Sequence, residues 1–205
     1  MDIVGSLCGL IVTSPLLLIV AILIRATSKG PIIFSQERIG QHNHAFKMYK
    51  FRTMYVQDTK EEKKGWTTKN DPRVTKVGRI LRKTSIDELP QLFNILIGDM
   101  SLVGPRPERP EIARQYEEEM PEFRLRLQAK AGLTGYAQVY GKYNTTPYDK
   151  LLMDLTYIGT PSLWEDFKIC LATVKILFMP ESTEGVEEGQ ATAMGNGHSK
   201  GRQAD

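Results

Sequence analysis

At 205 residues, 41% of them apolar and 25% charged, the chain can form one domain with an appendage; it is not a multi-domain machine, a disordered chain or a polytopic membrane protein. Its formal charge of +3 is unevenly spread, with 17 Lys/Arg against 9 Asp/Glu in residues 25–110 and 10 against 14 in residues 111–205. The basic half suits a membrane surface or a phosphate ligand, and nucleic acid is disfavoured because neither zinc-ligand spacing nor an aromatic-interleaved basic stripe accompanies the charge.

The first element is an uncharged run of 22 residues, Ile3 to Ile24. A cleaved signal is disfavoured, since only Met1 and Asp2 precede the run and no small-x-small site follows before Arg25. At ~1.5 Å per residue a straight helix of this length just crosses a ~30 Å hydrocarbon layer. Ser14-Pro15 near its centre removes a backbone donor and predicts a bend, so a re-entrant helix and a span both fit the run. Arg25 and Lys29 place the following body on the cytoplasmic side either way. Cys8 and Cys170 are too few and too far apart for a disulfide framework and suit a reducing compartment.

Ile32-Ile33-Phe34-Ser35-Gln36 and Ala45-Phe46-Lys47-Met48-Tyr49-Lys50 flank Gly40-Gln41-His42-Asn43, which predicts a hairpin. His42 and His44 read as exposed loop residues rather than ligands. Residues 57–70 are Lys/Glu-rich and read as a solvated loop or frayed helix. Asn70-Asp71-Pro72 then has helix-start chemistry, with Val74, Val77 and Leu81 on one face and Arg73, Lys76, Arg79, Arg82 and Lys83 on the others.

A second helix is predicted from Ser85, with Ser85 and Glu88 as a capping box and Asp87 in the first turn. That local role accounts for the Asp87-Glu88 pair. The chemical alternative is that adjacent carboxylates beside several cations hold a divalent metal and a pyrophosphate. Gly104-Pro105-Arg106-Pro107 flanks one arginine with prolines, a rigid presentation suited to bidentate phosphate binding or simply to a stiff loop. Residues 110–129 read as helix interrupted at Pro121, with Glu117-Glu118-Glu119 solvated. Thr146-Pro147 starts a helix through Tyr157. Ser162 to Phe178 is amphipathic, with Leu163, Trp164, Phe167, Leu171, Val174 and Phe178 on an apolar face that suits a core or a membrane surface.

The Ser-Pro apolar helix, Tyr49-Lys50-Phe51-Arg52-Thr53-Met54, Asp87-Glu88-Leu89-Pro90-Gln91-Leu92, Gly98-Asp99-Met100-Ser101, Val103-Gly104-Pro105-Arg106-Pro107 and Gly132-Leu133-Thr134-Gly135-Tyr136-Ala137-Gln138-Val139 occur in that order. Together they resemble the bacterial sugar transferase family of monotopic polyprenol-phosphate phosphoglycosyl transferases, over residues 2 to 178. Glu188-Gly189-Gln190-Ala191-Thr192 is similar to the end of some small members.

The resemblance implies an α+β, mostly helical fold, with a re-entrant membrane helix over 1–25 broken at Ser14 and Pro15, and a small hairpin. Amphipathic helices packed at the membrane interface complete a catalytic domain over 26–179, and a tail follows over 180–205. It implies an inner-membrane transferase facing the cytoplasm that moves sugar-1-phosphate from a UDP-sugar to polyprenol phosphate in exopolysaccharide, capsule or glycoprotein glycan assembly. Asp87 is then the nucleophile and Mg²⁺ ligand, Glu88 a neighbouring acid/base or support, and Arg82 and Arg106 phosphate clamps, with Lys142 and Arg79 as further phosphate ligands. Membrane lipids are implied partners, a second copy of the chain is admissible, and nucleic acid is not expected.

Two departures stand out. A basic pair usual in the family before the position of Asp2 is not in this chain, which suggests a trimmed chain or the catalytic end of a larger member. Gly141-Lys142-Tyr143-Asn144 stands where small members carry Gly-Arg-Asn, so Lys142 keeps the charge without the guanidinium fork. The rival readings are a membrane-anchored, non-catalytic module for anionic lipid, and a one-step transfer in which Asp87 only binds metal.

Overall fold

The computed structural model describes residues 1–56, 71–141 and 145–177; the expectations for 57–70, for Lys142, for Phe178 and for the tail lie outside the described residues. The fold is α+β and mostly helical, with two separate two-stranded sheets.

Helix α1 (Asp2–Thr27) is continuous, and Ser14 and Pro15, read above as a break, do not interrupt it. The reason is local. Proline cannot donate to the carbonyl four residues back, at Ile11, and the Ser14 hydroxyl donates to that carbonyl instead at 2.8 Å. One stripe of α1 docks on the body. Gly5 and Gly9 let the Leu102 and Leu92 side chains approach, and Val20 and Ile24 bury against Phe51 and Leu81. The remaining faces are apolar and exposed, including Val4, Ile11, Val12, Leu18 and Ile22. Both ends are tied down. The Asp2 carboxylate accepts from the Ser101 hydroxyl at 3.0 Å and the Leu102 N–H at 3.1 Å. At the other end the Arg52 guanidinium donates to the carbonyls of Ser28 and Lys29.

Strands β1 (Ile33–Ile39) and β2 (Ala45–Phe51) form the expected antiparallel hairpin, in register from Ile33↔Phe51 to Ile39↔Ala45. Its turn places His42 and Asn43 at positive φ. Helix α2 (Lys76–Lys83) starts later than Asn70-Asp71-Pro72, because Asp71 is taken by Arg73 at 2.5 Å and Val74 pairs strand-like with Met54. Thr75 is the cap, its hydroxyl accepting from the Gly78 N–H at 2.8 Å.

The predicted capping box at Ser85 does not form. Ser85 has φ +54° and caps nothing, Ile86–Glu88 is a single 3₁₀ turn, and helix α3 (Gln91–Leu96) begins after Pro90. The Glu88 carboxylate is drawn instead to two cations, a charge-assisted contact about twice as strong as a neutral cap. Buried Asn94 pins α3 to the edge of β2, accepting from the Tyr49 N–H at 3.0 Å and donating to the Lys47 carbonyl at 2.8 Å.

Strand β3 (Met100–Val103) runs parallel to β4 (Ala131–Thr134). Between them lie helix α4 (Pro110–Glu119) and a 3₁₀ stretch over Pro121–Gln128, with the interruption at Pro121 as expected. Phe46, Met48, Leu92, Ile95, Met100 and Ala131 form the main core. Helix α5 (Tyr136–Tyr140) is short. Helix α6 (Pro147–Gly159) starts on a full capping box of Thr146 and Asp149. Helix α7 (Leu163–Leu177) is tied to α6 by the Tyr157 hydroxyl donating to Asp166 at 2.7 Å.

Candidate functional site

The 3₁₀ turn over Ile86–Glu88 faces the end of β2. Alternation along β2 puts Phe46, Met48 and Lys50 on one side; the first two fill the core and Lys50 continues that face towards the turn. Lys50 Nζ reaches Glu88 Oε1 at 2.6 Å, and Arg106 Nη2 reaches the same oxygen at 2.8 Å. Arg82, in the last turn of α2, donates through Nε to the buried Thr53 hydroxyl at 2.8 Å. Asp87, Glu88, Arg82 and Arg106 are thus brought together from three segments. Arg79 is exposed on α2, and no described hydrogen bond or ion pair joins it to the carboxylates.

The two adjacent carboxylates have opposite electrostatics. Asp87 is 9% exposed, and burial pushes its carboxyl up from 3.8 to about 6, with Glu88 adding to the shift while Lys50 and Arg82 oppose it. Burial also works to raise Glu88, but Arg106 and Lys50 outweigh it and hold the group at about 2. Lys50 and Arg82 are both lowered by burial, whereas Glu88 raises Arg106. Near neutral pH, then, Glu88 has no proton to give. Asp87 is ionised, without an ion-pair partner among the described residues, and poorly solvated: the condition of a nucleophile.

The donor set also suits Mg²⁺, which takes one or two carboxylates and leaves its other positions to phosphate oxygens and water. Asp87 is the carboxylate at hand, since Glu88 is committed to two cations. No cluster of three or more His, Cys, Asp or Glu occurs among the described residues, and His42 and His44 are exposed.

The loop presenting Arg106 is held at three successive carbonyls. Pro105 accepts from the Gly132 N–H at 2.9 Å, Arg106 from Arg126 Nη2 at 2.9 Å and Pro107 from Arg38 Nη1 at 3.0 Å. Gly104 is needed for this approach, because a Cβ there would lie 2.3 Å from the Lys130 carbonyl oxygen. Sequence reasoning missed Lys50, Thr53, Arg126 and Asp154 as parts of the site and its support. Lys50 and Thr53 stand in the motif Tyr49-Lys50-Phe51-Arg52-Thr53-Met54, but nothing local marks either as a site residue.

The sequence profile described as bacterial sugar transferase matches residues 1–180. The chain is 46% identical over 178 residues to a Klebsiella pneumoniae protein named UDP-glucose:undecaprenyl-phosphate glucose-1-phosphate transferase, covering 84% of this chain and 38% of that protein. It is 42% identical over 182 residues to the undecaprenyl-phosphate glucose phosphotransferase of Komagataeibacter xylinus, covering 85% of this chain and 34% of that one. The exopolysaccharide production protein PSS of Rhizobium leguminosarum is 42% identical over 181 residues, covering 84% of this chain and 90% of that one. The chain therefore spans under half the length of the first two relatives.

Proposed function

The chain belongs to the bacterial sugar transferase family, and from that premise we propose that it moves a sugar-1-phosphate from a UDP-sugar to polyprenol phosphate, releasing UMP, as the first step of exopolysaccharide or capsule assembly. The observation that carries the reading is the buried carboxylate of Asp87, without an ion pair among the described residues, beside fixed cations. An Asp87 carboxylate oxygen attacks the β-phosphorus; that P–O bond forms as the bond to the UMP oxygen breaks. An oxygen of polyprenol phosphate then attacks the same phosphorus, and the bond to Asp87 breaks, returning the carboxylate and leaving a polyprenyl-diphosphate sugar.

Arg82 and Arg106 neutralise the phosphate oxygens, each charge-assisted bond contributing about 1.5–3 kcal/mol before screening. Glu88 acts as support, holding Lys50 and Arg106 on one of its oxygens next to the reacting carboxylate. Asp87 would hold Mg²⁺, which when bound offsets the charge that develops on the departing UMP. Lys142 and Arg79 are further phosphate ligands in this reading.

We also propose a monotopic placement in the inner membrane, the body facing the cytoplasm. The bonds at both ends of α1, from Asp2 to Ser101 and from Arg52 to Ser28, support it, since a helix that carried Asp2 across the bilayer would break the first of them. Its exposed apolar faces then meet lipid.

The test is UMP release from UDP-sugars by the purified chain. Without acceptor the release should reach at most one UMP per site, with phosphosugar trapped on Asp87, and Asp87→Asn should abolish it. Release only in the presence of polyprenol phosphate, with no labelled protein, would establish the one-step reading. No release with any donor, alongside intact binding to anionic lipid, would establish the non-catalytic module.

A further inference from the structure

The support behind the Arg106 loop contains a charge pair that touches neither carboxylate of the site. Arg126, in the 3₁₀ stretch over Pro121–Gln128, places Nη2 2.7 Å from Asp154 Oδ2 of α6, with the two side chains only 8% and 3% exposed. The same nitrogen donates to the Arg106 carbonyl at 2.9 Å. The guanidinium is further fixed by the buried Phe123 ring, whose centroid lies 4.7 Å from its central carbon. One arginine thereby joins α6, the stretch before β4 and the backbone of Arg106.

Such a pair is a poor way to gain stability. Desolvating two charges costs as much as their attraction returns, and well-packed apolar residues commonly do as well. What the guanidinium adds is a rigid, flat head: with its plane against Phe123, the single nitrogen Nη2 is held within reach of a carboxylate and a carbonyl at once, a placement the shorter, freely rotating ammonium of a lysine does not keep. The carbonyl it meets belongs to the residue whose side chain donates to Glu88. We propose that Arg126, locked by Asp154, is a positioning residue that aims the Arg106 guanidinium at the transferring phosphate.

The inference rests on the transferase reading, and a cycle of variants separates the two. Arg126→Lys keeps a charge that Asp154 attracts, but its shorter stem and unfixed head do not hold the nitrogen on the Arg106 carbonyl. It should lower kcat/KM for UMP release from UDP-glucose, with undecaprenyl phosphate as acceptor, on the order of tenfold while the thermal midpoint moves little. In an Arg106→Ala background the same change should cost less than twofold, because the residue it acts through is gone. Amide hydrogen exchange needs no substrate. In Arg126→Lys, and in Asp154→Asn as a second variant that keeps the side-chain shape, exchange over residues 104–109 should rise relative to that over α6. Equal losses of activity in both backgrounds, or unchanged exchange over 104–109 in both variants, would overturn the proposal. If the unaltered chain releases no UMP from any donor, the transferase reading fails, and the exchange result still decides whether Arg126 holds the loop.

Discussion

Asp87 and Glu88 are covalent neighbours pulled in opposite directions, about 6 and about 2, and the difference can be measured. The proposed attack requires ionised Asp87, and in the metal-free chain its carboxyl should take up a proton as pH drops through about 6, read by NMR titration, whereas an ordinary aspartate would do so nearer 4. The sign for stability is reversed. Folded Asp87 binds its proton more tightly than unfolded Asp87, so ionising it costs stability once pH rises above that range, by about 3 kcal/mol for a shift of this size. Asp87→Asn should therefore raise the thermal midpoint at neutral pH by several degrees while abolishing turnover, and a lower midpoint would show that the carboxylate is not strained. Glu88 behaves conventionally: its stabilisation is complete above its ordinary 4.5 and is lost as pH falls through about 2. Asp87, Arg82 and Arg106 were legible in the sequence as candidates by residue type and spacing, with their roles supplied by the family resemblance. Lys50, Thr53 and Arg126 were not, because they matter through partners 38, 29 and 20 residues away.

Elements whose signals are local were read correctly. The hairpin follows from two alternating runs around a turn, and α6 from a threonine, a proline and an aspartate at cap spacing. Misreadings fall where a distant group claims the capping side chain or its neighbour, as Lys50 and Arg106 claim Glu88. Strands β3 and β4 have four residues each, too few for a period-2 pattern to show, and each is completed only by the other. In α1, Ser14 repairs the hydrogen bond that Pro15 forfeits, so the proline acts on helix stiffness and not on helix existence. Pro15→Leu should restore the backbone bond to Ile11 and favour a spanning orientation. The readout is periplasmic labelling of Ile3→Cys in a Cys8→Ser background, which should be absent with Pro15 and appear with leucine. Labelling with Pro15 present would refute the monotopic placement.

On the scale of the whole molecule, two apolar surfaces and one charged one have to face compatible surroundings. The outer faces of α1 and the stripe of Leu163, Trp164, Phe167, Leu171 and Val174 on α7 are exposed, at 72% for Leu163 and 67% for Trp164. The charge surplus lies in residues 25–110, which also supply Lys50, Arg82 and Arg106. An anionic interface serves both. Replacing Trp164 and Leu171 by aspartate should weaken sedimentation with phosphatidylglycerol vesicles without changing the thermal midpoint. A stripe that belonged to the core would lower the midpoint instead.

The bonds from Asp2 to Ser101 and Leu102 join residues 99 and 100 positions apart. At the usual ~5–20 residues per second of synthesis, α1 leaves the ribosome ~5–20 seconds before its N-terminal anchor exists. Throughout that interval it is an apolar helix in a cell containing membranes, and its orientation stays open until the body can dictate it. The Asp2 contact is therefore a latch that draws the helix into one of its orientations. Chains arrested before residue 101 should show periplasmic labelling at position 3 in a fraction of molecules, and chains extended past β3 should show that fraction shrink.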